Sequence, residues 1–224
     1  QLLVLRSTIF PGTTRLLEKQ LAPFGIDVSF CPERIVQGRA FEEIYSLPHI
    51  VSGTSDQSVI RASQLFKALG EVVTGEIETA EFAKLFLNAY RYIQFAATNE
   101  FFTIANDANV DYSEVVRLMK TDYPRAEGLP SAGFSAGPCL VKDTLQLVAY
   151  SQNRFAMGSA AFQVNEGLAQ YVVKEISRKI DLSASVIGLL GMAFKPGIDD
   201  IRSSLSYRVK KSLILQGAEV LCSD

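Results

Sequence analysis

Three short stretches of the chain carry side chains with chemistry to offer. In Ala80-Glu-Phe-Ala-Lys84-Leu-Phe-Leu-Asn88-Ala-Tyr-Arg91, Lys84 and Asn88 lie four residues apart. On a helix that spacing places them on one face, which Glu81, Arg91 and Phe95 continue. An ammonium, an amide and a guanidinium gathered there can hold one anionic ligand. A solvated stripe has the same spacing, but the flanking Phe82, Leu85, Phe86 and Leu87 argue for burial of this segment.

The second stretch is Gly133-Phe-Ser-Ala-Gly-Pro-Cys139-Leu-Val-Lys142-Asp143, where small residues and a proline precede a thiol at an expected helix start. A cysteine there feels the positive end of the helix dipole, which raises its thiolate fraction, and Lys142 is close enough in sequence to add to that field. A small buried hydrophobe is the competing reading of a lone cysteine. The third stretch, Gly191-Met-Ala-Phe194-Lys195 through Asp199-Asp200-Ile-Arg202, follows one expected strand and precedes a helix, the place where α/β units bind phosphate. It is not a Gly-x-Gly-x-x-Gly fingerprint, so Lys195 is read either as a phosphate contact or as a solvated loop lysine. Cys31-Pro-Glu33 ends a further strand, so Glu33 either faces a ligand crevice or is a turn acid that caps a helix. His49, the only histidine, has no evident partner in sequence, and Cys31 and Cys222 fall in strand patterns that suit packing.

The elements that must position these groups follow from periodicity and turn residues. Strands are expected at 2–6, 27–31, 49–53 and 71–73, with helices at 13–21 and 55–69 between them, the rhythm of a parallel sheet covered by helices. From Thr79 to about Asn109 no Pro or Gly interrupts a helix of unusual length. Helices at 111–120, 140–152 and 160–180 surround a Gly-, Pro- and Ser-rich loop at 121–138, and a strand at 185–191, a helix at 203–216 and a strand at 219–222 close the chain. The fold class is therefore α/β with a helical middle.

Of 224 residues, 48% are hydrophobic and 21% charged, which suffices for more than one core, and the net charge of -2 gives no reason to expect nucleic acid or an anionic membrane. Three dispersed cysteines match neither a metal site nor a disulfide framework and fit a reducing, cytoplasmic compartment. No apolar run approaches the ~20 residues that span a bilayer, and no targeting signal precedes Leu2, so the expectation is a soluble chain.

Together these segments resemble the UDP-glucose/GDP-mannose dehydrogenase family. Arg6-Ser-Thr8-Ile-Phe-Pro-Gly-Thr resembles its last cofactor-domain strand and turn, and Pro32-Glu33-Arg-Ile-Val-Gln-Gly38 its PExxxxG segment. Ala80 to Asn88 is similar to AExxKxxxN, Gly137 to Asp143 to GxCxxKD, and Phe194 to Arg202 to FKxxxxDxR. The resemblance implies a Rossmann-type NAD-binding domain over 1–76 whose first strands are absent, a helical dimerisation domain over 77–181 and the start of a UDP-sugar-binding domain over 182–224. It also implies NAD as cofactor, a UDP-sugar as substrate, no metal, and a homodimer built on the long helix.

By the same resemblance Cys139 is the nucleophile, Lys84 and Asn88 serve the developing oxyanion, and Glu33 or Asp143, with Thr8 holding a water, assists proton transfer. Thr8, Glu33 and Lys142 would contact the cofactor, and Arg91, Arg125, Phe194 and Lys195 the substrate. Gln37 stands where glucose enzymes of the family carry a second glutamate. Arg91 resembles the N-acetylmannosamine branch, whereas Lys142-Asp143 resembles the glucose branch. Without a glycine fingerprint before Arg6, these 224 residues alone are not expected to turn over. Two other readings compete: a one-step hydroxyacid or 6-phosphogluconate-type dehydrogenase, which also uses a lysine and an asparagine four apart but needs no cysteine, and a module that only dimerises.

Overall fold

The apolar runs at the start of the chain form the strands β1 (Leu2–Leu5), β2 (Asp27–Phe30), β3 (His49–Gly53) and β4 (Val72–Thr74), in one sheet of order β1-β2-β3-β4. This is a computed structural model, and it describes residues 1–135 and 137–224; Ala136, within the segment before Cys139, lies outside the described residues. β1 pairs with β2, and β3 with β4, in parallel. The wholly parallel sheet expected from the βαβ rhythm is corrected at its centre, where β2 and β3 run antiparallel with Ser29 opposite Gly53 and Phe30 opposite Ser52. A parallel pair needs a crossover helix that buries a face on the sheet. The only helix between β2 and β3 is α2 (Ala40–Ser46), which pattern reading did not anticipate and which buries no residue, so the chain returns on the same edge.

The helices α1 (Thr13–Leu21) and α3 (Asp56–Lys67) complete this unit. α3 starts at a reciprocal cap, with Ser55 Oγ accepting from the Ser58 amide at 3.1 Å and Ser58 Oγ from the Ser55 amide at 3.0 Å. Its Ala62 and Phe66 pack with Cys31 and Val51 of the sheet. Cys31 thus packs as expected, and burial pushes its thiol up to about 11.

α4 (Ile77–Asp107) is the long helix, 31 residues, or about 46 Å at 1.5 Å per residue. The chain forms two compact units, Gln1–Asn88 and Ala89–Asp224, and the division falls inside α4. In the second unit, α5 (Tyr112–Lys120), α6 (Pro138–Tyr150), α7 (Ala156–Ser177) and α8 (Ser206–Leu215) accompany a parallel pair, β5 (Val186–Leu190) and β6 (Glu219–Ser223). α8 begins three residues later than the pattern predicts because Ser203 adopts φ 57°, outside the helical region.

α7 serves two cores. Ala161 packs with Tyr92 and Ala96, while Ala169 and Val173 pack with Leu205, Val209 and Leu213. Between them two fully buried asparagines are bonded: Asn99 Nδ2 donates to Asn165 Oδ1 at 2.9 Å, Asn165 Nδ2 to the Tyr92 carbonyl at 3.0 Å, and the Gly133 amide to Asn99 Oδ1 at 2.8 Å. That last bond fixes the loop leading to Cys139. Cys222, expected to pack, is instead exposed on β6. Among the described residues no helix is long and apolar enough to cross a membrane.

Candidate active site

Cys139 is the second residue of α6 and is exposed. Gly137 caps the helix with φ 116°, a backbone state that disfavours any side chain, and Pro138 occupies the first helical position, where its missing N–H is no loss. Gly137 has no side chain to cap this terminus, and among the described residues no acid lies in its first turn, which leaves the positive end of the helix beside the thiol. Lys142, one turn on, lies 3.5 Å from the carboxylate of Asp143; its side chain is half in solvent, whereas that of Asp143 is fully buried. Asp143 is four residues on from Cys139, so the two start from the same side of the helix, the acid enclosed and the thiol exposed.

The loop between β5 and α8 closes on the same turn. A Cβ on Gly137 would stand 3.0 Å from Phe194 Cε2, so the Phe194 ring lies directly on Gly137. The loop is braced from within: the Phe194 amide donates to the Asp200 carbonyl at 3.1 Å, and Arg202 makes a forked pair with the Asp200 carboxylate, its shortest contact 2.6 Å. Asp200 holds the Arg202 guanidinium above its usual range by hydrogen bond and charge, with a smaller contribution from Cys139. The base of the loop is tied to β6, where Asp224 Oδ1 accepts the Met192 amide at 2.8 Å and Oδ2 the Ala193 amide at 2.9 Å. Lys195 is half-buried in the same loop. Arg125 is exposed in a short turn at Pro124–Ala126, stacked on Tyr123 at 5.2 Å.

In the first unit, Asn88 is buried and Lys84 half-buried, so this face of α4 is not a solvated stripe; Arg91, further along, is exposed. Glu81, on the same face, is buried and structural. Its carboxylate accepts from the Gly12 amide at 2.6 Å, the Thr14 amide at 3.0 Å and Thr14 Oγ1 at 2.6 Å, filling the N-terminus of α1. Thr8 is half-buried in the turn after β1. Glu33 follows β2, where Oε1 accepts the amides of Arg34 and Ile35 at 2.8 and 2.9 Å and the carboxylate pairs with Arg6, itself over the Phe66 ring. Glu33 thus caps its own turn and not a helix, since the next helix, α2, begins only at Ala40. His49, without a partner in the sequence, is buried with Nε2 3.0 Å from the Ile44 carbonyl and its ring stacked on Phe66.

Sequence reasoning missed the latch formed by Glu81, the two asparagines and the anchor at Asp224. Each joins residues more than thirty positions apart, and no local spacing announces such a bond.

The sequence profile of the UDP-glucose/GDP-mannose dehydrogenase family, central domain, matches residues 78–167. A UDP-N-acetyl-D-mannosamine dehydrogenase of Methanocaldococcus jannaschii is 30% identical over 226 residues, covering 100% of this chain and 52% of the relative. One from Campylobacter jejuni is 30% identical and is covered over 57% of its length by 97% of this chain. A solved UDP-N-acetylmannosamine dehydrogenase from Pyrococcus horikoshii superposes with a TM-score of 0.90 at 28% identity, over 99% of this chain and 56% of that one. A UDP-glucose dehydrogenase from Pyrobaculum islandicum gives 0.88 at 26%, over 99% and 54%. Residues 78–167 carry the central domain of the UDP-glucose/GDP-mannose dehydrogenase family, and the chain has the fold of nucleotide-sugar dehydrogenases. It spans about half the length of the curated relatives it matches.

Proposed function

We propose that this chain is the middle of a nucleotide-sugar 6-dehydrogenase that oxidises the C6 alcohol of a UDP-sugar to a carboxylate in two NAD-dependent steps. The observation that carries this reading is the exposed Cys139 in the first turn of α6, in a chain that matches this family's central domain. A one-step dehydrogenase has no use for a thiol so placed.

In this reading residues 1–76 belong to the cofactor domain, 77–181 to the central helical domain and 182–224 to the sugar-nucleotide domain. Thr8 and Glu33 follow the carboxyl ends of β1 and β2, the edge at which α/β sheets take ligands, and with Lys142 they suit the polar, non-phosphate parts of NAD. The diphosphate belongs elsewhere, because Glu81 already fills the amides of α1. NAD supplies the hydride acceptor for each oxidation.

The chain's own groups do the rest. The Cys139 thiolate adds to the aldehyde left by the first oxidation and gives a thiohemiacetal; its oxidation leaves a thioester, and water then releases the acid and the thiol. Lys84 and Asn88 stabilise the oxyanion at the sugar carbon, and Glu33 or Asp143, with Thr8 orienting water, moves the protons. Phe194, Lys195, Arg91 and Arg125 hold the nucleotide sugar. N-acetylmannosamine is the favoured sugar, from Arg91, Gln37 and the relatives' names.

The chain pairs with a second copy through α4, whose Phe86, Tyr90, Phe101 and Ile104 are exposed at helical spacing along one stripe. The test is the stoichiometry of the full-length protein with UDP-N-acetylmannosamine: about two NADH per sugar and a carboxylate product are expected. One NADH per sugar and a carbonyl product would overturn the reading.

A further inference from the structure

The Phe194 ring has been assigned above to the substrate, yet its observed contact is with Gly137, two residues before the thiol. Gly137 is held at φ 116° and a Cβ there would press on Cε2, Cδ2 and Cζ of the ring at 3.0, 3.1 and 3.5 Å, so the ring packs against this backbone with no room for a side chain between. The ring is in turn fixed from two sides. Its own amide is bonded to Asp200, and Asp224 clamps the two amides just before it with both carboxylate oxygens. In a βαβ unit that binds a dinucleotide, the acid ending the second strand reaches for a ribose. Here the same position is spent on the unit's own loop.

We infer that Phe194 and Asp224 are positioning residues for the nucleophile: Asp224 anchors the loop after β5, and Phe194 braces the Gly137-Pro138 turn so that Cys139 stays in the first turn of α6. The brace rests on the assignment of Cys139 as the nucleophile, but it makes a statement about the thiol that activity need not report. Arg202, held by Asp200 in the same loop and in electrostatic reach of Cys139, moves with it. Releasing the loop therefore loosens the helix start that holds the thiol. Since Cys139 is exposed, a small reagent reaches it, and the labelling rate reads how the first turn of α6 presents the thiol.

The experiment is iodoacetamide labelling of Cys139 at pH 7 in the full-length protein, in a Cys222→Ser background to remove the other exposed thiol, with the labelled peptide identified by mass. Phe194→Leu, which keeps an apolar side chain but loses the ring edge, is expected to slow labelling about threefold. Phe194→Tyr, which keeps the ring, is expected to restore the rate, and Asp224→Asn, which leaves one acceptor for two amides, to fall between. Melting of each variant separates loss of fold from loss of positioning. Labelling in folded Phe194→Leu at or above the wild-type rate would overturn the inference, as would Phe194→Tyr reacting as slowly as Phe194→Leu. Either result would leave the chemistry assigned to Cys139 standing, because that is judged by the products formed and not by labelling.

Discussion

Two helix starts in this molecule face the same electrostatic problem and resolve it in opposite ways. At α1, Gly12 caps the helix without a side chain of its own, and a buried carboxylate from sixty-nine residues away, Glu81, takes its amide, the Thr14 amide and the Thr14 hydroxyl. At α6, Gly137 again caps without a side chain, but among the described residues no acid lies in the first turn, where an exposed thiol sits instead. Orphan amides carry the same partial positive charge in both places. Where the chain supplies its own anion, the site is closed and the helix end becomes a fastening. Where the first turn holds none, the field is left to whatever anion forms there, and Cys139 is placed to become one.

The contrast makes its largest prediction at the open end. Cys139→Ser in the full-length protein is expected to lower carboxylate formation by about 1000-fold or more, since a hydroxyl is not ionised near neutral pH. Product analysis showing acid at the wild-type rate would remove the distinction between the two ends. Next in size is Lys84, three residues from Glu81 on the same helix. Lys84→Ala is expected to lower kcat about 100- to 1000-fold while changing KM little, as when an oxyanion contact is lost. A pure KM effect in steady-state kinetics would make this face of α4 a binding surface only. At the closed end, Glu81→Gln replaces an acceptor of three hydrogen bonds by an amide whose NH2 must face N–H groups. The expected cost is about 2 to 3 kcal/mol, or a fall in Tm on the order of 5 to 10 °C, with Cys139 labelling unchanged. Calorimetry showing no loss would mean that α1 needs no anion.

The smallest effect concerns the buried thiol of Cys31. Burial holds Cys31 neutral up to about 11, so its neutral form stabilises the fold fully below the unfolded value near ~8.5, and that contribution is lost as pH rises through 11. Between those limits the wild type should lose on the order of 2 kcal/mol relative to Cys31→Ala, measured by urea unfolding against pH. Equal slopes for the two proteins would show that Cys31 is less enclosed than its packing implies.

What could be read in the sequence was local. Gly137-Pro138-Cys139 announces a helix start because each residue suits its own backbone position, and the long helix and the strands announce themselves by period and by the absence of Pro and Gly. The antiparallel join of β2 to β3 was hidden, because a connection of that length reads as a crossover until α2 is seen to bury nothing. Glu81 was legible as a member of a face but not as a fastening, since its partners lie at Gly12 and Thr14. Glu33 was legible as a choice between crevice and cap, and only the bonds to Arg34 and Ile35 decide its geometry.

The double duty of α7 has a consequence for how the second unit opens. Its first half is held by Tyr92 and Ala96 and its second half by Leu205, Val209 and Leu213, and the helix runs unbroken between them. Fraying from either end would have to strip one core before reaching the other, and the Asn99–Asn165 bond lies in between as a polar rivet that water cannot replace until both sides have parted. Amide exchange along α7 is then governed by one shared opening rather than by two, and the loop that carries Gly133 toward the thiol inherits the slow clock of the core instead of the fast one of the surface.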